Sequence, residues 1–73
     1  MGFTTLLELR LRESVQSEYG NYERYWGSLV TLEVRGETCP AEMVEYAVER
    51  AEQFARNGVP CCLFINGRPE VLY

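Results

Sequence analysis

The chain has 73 residues, 47% hydrophobic and 25% charged, with eleven acidic residues against seven basic ones and a net charge of -4. That length supports one domain, residues 1–73, whose core lies near the lower limit of independent folding, because only about 60% of the unfolded surface can be buried at this size. Every acidic residue is Glu, every basic residue is Arg, and His, Lys and Asp are absent, which excludes enzymes built on a histidine base, an imidazole-bound metal or an Asp-oriented triad.

In residues 5–12, Leu7, Leu9 and Leu11 alternate with Glu8, Arg10 and Arg12, and this period of two predicts a half-buried strand. Residues 13–27 are polar and aromatic with Gly20-Asn21 in their middle; they read as a long connection with a helical turn on each side of the glycine. Alternation returns in residues 28–35, with Val30, Leu32 and Val34 on one face and Leu29, Thr31, Glu33 and Arg35 on the other. A second strand, antiparallel to the first, is expected there. The helix signal follows, with Thr38 or Cys39 at the cap, Pro40 in the first turn, and a stop at Asn57-Gly58 before Pro60. Within it Met43, Val44, Ala47, Val48, Ala51, Phe54 and Ala55 fall on one arc at 100° per residue. Residues 61–65 predict a third strand, Asn66-Gly67-Arg68-Pro69 a tight turn, and Val71-Leu72-Tyr73 a last strand.

The expected fold class is α+β, a two-layer β-β-α-β-β arrangement with one helix packed on a four-stranded, mostly antiparallel sheet. The sheet face without a helix is expected to remain partly apolar and to attract a partner or a second copy, giving a homodimer.

Cys39, Cys61 and Cys62 cannot all pair, and no basic segment leads into an apolar stretch as a signal peptide would. No apolar run reaches the roughly 20 residues of a membrane-spanning helix, and Leu6 stands where an acylation pattern starting at Met1-Gly2 requires Ser or Thr. These features predict a reduced, cytoplasmic protein without a membrane anchor. The lack of Lys and the single Ile65, residues with AT-rich codons, point to a GC-rich bacterial or phage genome.

Two constellations stand out as candidate contact surfaces. Glu42, Glu45, Glu49 and Glu52 return to one narrow sector of the helix, because steps of three and four residues nearly complete a turn. Such a stripe serves as a solvated face, and it also resembles the run of charges along a nucleic-acid backbone. The second is Tyr19, Tyr22, Tyr25 and Trp26, interleaved with Glu18, Glu23 and Arg24. Tyr, Trp and Arg dominate interface anchors; the same tract can equally fold over the open sheet face. Direct nucleic-acid or anionic-membrane binding is disfavoured by the net charge and the lack of a basic cluster. A basic, nucleic-acid-binding protein is the complementary partner, with Tyr22, Tyr25 and Trp26 as anchors. No phosphate-cradling loop, calcium loop or Cys-x-x-Cys zinc pattern is present in the sequence, so no cofactor or metal is expected.

Leu32-Glu33-Val34-Arg35-Gly36-Glu37-Thr38-Cys39-Pro40, a strand leading through Arg-Gly into Cys-Pro and a helix, resembles the signature of TusA-type sulfur-carrier proteins. The resemblance covers nine residues and implies a persulfide-carrying role for Cys39, with Pro40 as the adjoining proline. In size, acidity and composition the chain is similar to anti-CRISPR proteins and other DNA-mimicking inhibitors, which implies blockade of a basic surface on a partner. A structural subunit of a larger assembly is the further alternative.

Overall fold

The computed structural model describes residues 3–36 and 38–73; Met1-Gly2, where an acylation pattern would start, and Glu37 of the Cys-Pro stretch lie outside them. The elements run β1 (Thr4–Ser17), β2 (Gly20–Arg35), α1 (Ala41–Arg56), β3 (Cys61–Ile65) and β4 (Arg68–Leu72). They form one sheet in the order β2-β1-β3-β4, with every neighbouring pair antiparallel. The expected α+β, β-β-α-β-β arrangement is therefore the observed one. No helix among the described residues is long and apolar enough to cross a membrane.

β2 and β3 both run antiparallel to β1 and are joined by α1, which lies over β1 and β3. The leucine alternation of β1 supplies the floor of the core, with Leu7 and Leu9 buried together with Val34, Ala47, Ala51, Cys61 and Leu63. α1 meets this floor through the two alanines, whose small side chains allow a close approach, and the Cys61 thiol points at the Ala51 carbonyl at 3.7 Å. Met43, Val44, Val48 and Phe54 flank the contact half-buried. Ala55, expected in the same arc, is exposed.

The largest departure from the sequence reading concerns residues 13–27, which form neither a loop nor helical turns. β1 continues to Ser17 and β2 begins at Gly20, in register from Ser17↔Gly20 onward. The turn is Glu18-Tyr19, held by the Ser17 hydroxyl, which donates to the Gly20 carbonyl at 2.9 Å and accepts from the Tyr19 amide at 3.2 Å. β3 pairs only with residues 7–11 of β1, so beyond Arg12 the hairpin projects as a two-stranded arm about 17 Å long. The molecule measures 47 × 27 × 16 Å.

Where the arm joins the base, the register slips twice, Leu9↔Val30 giving way to Arg10↔Ser28 and then Leu11↔Trp26. Leu29 and Gly27 are the extra residues. Gly27 has φ +64, the left-handed conformation that such a bulge requires. The slip also turns Leu29 toward the core, against which it packs, instead of the opposite face that strict alternation gives it. The second hairpin turn has positive φ at both Asn66 (+52) and Gly67 (+80), as a type I′ turn demands. Asn66 Oδ1 accepts from the Leu6 amide at 2.9 Å, tying this turn to β1. The final strand starts at Arg68, earlier than expected, because Pro69 sits on an outer edge where its missing N–H costs no ladder bond.

Candidate protein-binding surface

Pro40 occupies the N-cap position of α1 with φ -59 and ψ 140, and no side chain caps the helix. It therefore precedes the first turn, where the sequence had suggested it would lie, and neither Thr38 nor Cys39 acts as the cap. Glu42 stands in the first turn and Arg56 in the last, each favoured by the helix dipole. With Ala47 and Ala51 anchoring the inner side, Glu42, Glu45, Glu49 and Glu52 fall on the outer ridge, and all four are exposed. They extend over about 15 Å of helix, one carboxylate roughly every 5 Å. Arg56, one turn beyond Glu52, donates from Nε to the Glu52 backbone carbonyl at 3.4 Å. The two ion pairs among the described residues, Arg10–Glu8 and Arg12–Glu23, involve none of the four glutamates.

The aromatic tract is split by the strand it forms. Paired residues of an antiparallel ladder share a face, so Trp26 opposite Leu11 and Tyr22 opposite Val15 project from the helix-bearing side of the arm. They are 48% and 54% exposed, since α1 does not reach them. Tyr25, opposite Arg12, projects from the other face. There its ring meets Phe64 edge-on at 5.1 Å, so it is not an exposed anchor. Tyr19 stands at the tip of the arm, 98% exposed.

The face away from the helix is covered from within, in part by Tyr25 of the aromatic tract, as the second of the two readings of that tract expects, and in part by β1 side chains that the sequence did not single out. Cys62 and Phe64 are buried there, beneath Tyr25 and beneath Arg10, whose guanidinium lies 4.4 Å from the Phe64 centroid and bonds Glu8 at 2.9 Å. Arg12 donates to the Tyr73 carbonyl at 2.9 Å, and the Ser14 hydroxyl bonds Glu23 at 2.7 Å. Burial pushes the Cys62 thiol up, opposed by the Glu70 and Val71 backbone and by Arg12. Burial likewise raises Tyr25, with Cys62 and Glu23 adding negative charge beside it. The signal available in the sequence was the i, i+2 spacing of Cys62 and Phe64, which places both opposite the polar side chains of β1.

Cys61, on the helix side, is buried and raised by the same loss of solvent. Cys39 lies just ahead of the helix, half-buried against the core, its thiol 3.8 Å from the Pro40 carbonyl. The three cysteines are free. Among the described residues the surface opens into no pocket, and no group of three or more Cys or Glu side chains converges where a metal ion could be held. Compared with protein families, curated proteins and solved structures, the chain matches none.

Proposed function

We propose that this chain is a small, acidic, protein-binding inhibitor of the nucleic-acid-mimicking kind that anti-CRISPR proteins exemplify, phage-encoded and acting in the cytoplasm by covering a basic, nucleic-acid-binding surface of its partner. The observation that carries the reading is the ridge of Glu42, Glu45, Glu49 and Glu52, all exposed and none engaged in an ion pair among the described residues. One carboxylate roughly every 5 Å approaches the charge spacing of about 3.4 Å along a single strand of duplex DNA. In this reading the stripe supplies steering and association rate. Trp26 and Tyr22, half-exposed on the same side of the sheet as the helix, supply buried anchors once the partner is seated.

The test is affinity capture from nuclease-treated lysate of the source or its host, with the wild type beside a variant carrying Gln at all four glutamate positions. Removing four negative charges takes the net charge from -4 to 0. Capture of a nucleic-acid-binding protein that duplex DNA releases, and that the Gln variant and a Trp26→Ala variant fail to hold, supports the reading. Identical capture by wild type and Gln variant sinks it. Loss of capture with Cys39→Ser alone assigns the activity to the thiol instead and favours sulfur transfer.

A further inference from the structure

The sheet has two outer edges, and they differ in how they are guarded. β4 is five residues long, contains Pro69, and has a bulge against β3 at Leu63/Phe64. Short length, proline and irregular pairing are the usual protections of an edge. β2 is sixteen residues long, has neither Pro nor Lys, and confines its own two bulged residues to Gly27 and Leu29, leaving residues 20–26 and 30–35 in regular pairing. One of its sides is paired with β1 on either side of those bulges, while the other meets no strand among the described residues.

The molecule also exposes more surface than its mass requires. Its accessible area is 5342 Å² for 8.4 kDa, where a compact monomer of that mass exposes about 4600 Å². The excess of roughly 700 Å² approaches one partner's share of a standard protein interface, about 800 Å². Its radius of gyration, 13.6 Å, likewise exceeds the roughly 11 Å of a compact 73-residue domain.

We propose that β2 pairs edge to edge with β2 of a second copy, antiparallel about a two-fold axis at Leu29, to give a continuous eight-stranded sheet with both helices on one side. The register follows from charge. Pairing must keep each side chain on its own face, so alternative registers differ by two residues. With the axis at Leu29, Glu23 faces Arg35 of the second copy, Trp26 faces Leu32, and Tyr25 faces Glu33, each pair occurring twice. Moving the pairing two residues one way sets Glu23 against Glu33 twice; moving it the other way leaves Glu23 without a basic partner.

Glu23 is 30% exposed as a side chain; Oε1 accepts from Ser14, and Oε2 is buried without a hydrogen bond 3.6 Å from Arg12, so a cation across the edge meets Glu23 only through its exposed remainder. The bulges at Gly27 and Leu29 fall at the axis, so pairing runs in two stretches, residues 22–26 against residues 32–36 of the second copy. This pairing leaves the glutamate ridge of the inhibitor reading free, but it sets Trp26 and Tyr22, the anchors of that reading, beside Leu32 and Gly36 of the second copy, so only the ridge is independent of it.

Sedimentation equilibrium over a concentration series provides the test, with far-UV circular dichroism confirming that each variant is folded. Wild type is expected to be a dimer, Arg35→Glu to weaken it more than about tenfold by placing like charges opposite each other twice, and Glu23→Arg combined with Arg35→Glu to restore it. A wild type that stays monomeric at the highest concentration overturns the proposal. So does a dimer whose affinity is unchanged by Arg35→Glu, since its interface then lies elsewhere.

Discussion

Tyr25 and Phe64 meet across β1 with ring centroids 5.1 Å apart and planes at 83°, so two strands that share no backbone ladder are locked together on the face the helix does not cover. With Arg10 against the Phe64 ring and Cys62 beneath, this contact is the second, smaller core of the molecule.

Phe64→Ala is expected to cost about 3–5 kcal/mol, the range for a buried aromatic truncated to alanine. In a double-mutant cycle with Tyr25→Leu, the pair should show about 0.5–1.5 kcal/mol of coupling. Urea denaturation of the four proteins measures both. Additive single effects would mean that the edge-on geometry contributes nothing beyond burial.

Alkaline pH should destabilise the fold. Burial raises Cys61, Cys62, Tyr25 and Tyr73 from ordinary values of 9.0 for the thiols and 10.0 for the phenols. A group whose folded value is raised holds its proton more firmly in the native state. Its contribution is complete below the unfolded value and is lost as pH rises through the folded one. The urea midpoint should therefore hold up to about pH 9 and fall progressively as pH rises above it, first through the thiols and then through the phenols. Replacing Cys61 and Cys62 by Ala should flatten that fall, whereas an unchanged slope would remove the thiols as its cause.

Ala51 and Ala55 stand four residues apart on α1, one fully buried against the sheet and the other exposed. Ala51→Leu should overpack the interface and cost about 1–3 kcal/mol, or about 4–8 °C in Tm for each kcal/mol. Ala55→Leu should remain within about 0.5 kcal/mol of wild type. Thermal denaturation distinguishes them, and equal effects would mean that the helix sits differently on the sheet.

The arm should open independently of the base. β1 from Leu7 to Leu11 is bracketed by β2 and β3, while residues 13–17 pair with one strand alone, and an isolated two-stranded ribbon is marginal in water. Amide hydrogen exchange should be fast at Val15 and Tyr22 and slow at Leu9 and Leu63. Arm amides as protected as those of Leu9, at concentrations where the protein is monomeric, would contradict this.

Most of the base was legible in the sequence because burial imposes pattern. Leu7, Leu9 and Leu11 alternate since the helix covers one side of β1, and Ala47 and Ala51 recur at helical spacing since they touch the sheet. The arm was not legible for the same reason. Glu13, Val15, Arg24 and Tyr22 have no layer above them to demand alternation, and the turn uses Glu18-Tyr19 where a hairpin is usually marked by Asn-Gly or Asp-Gly. The glutamate ridge was visible from spacing alone. The division of the aromatics was hidden only by the unmarked strand: the two bulged residues, Gly27 and Leu29, cancel, so plain alternation from Val30 puts Tyr22 and Trp26 on one face and Tyr25 on the other.

Because β2 passes from the base into the arm at the Gly27 bulge, the chain keeps its folding instructions and much of its outward-facing surface in separate stretches. The base depends on a few leucines, two alanines and two cysteines, and changes there are selected against through stability. Residues 13–24 carry little of that burden, so mutation can rewrite the tip and the flanks of the arm without endangering the domain. Relatives of this chain are expected to keep this base and to differ in this arm.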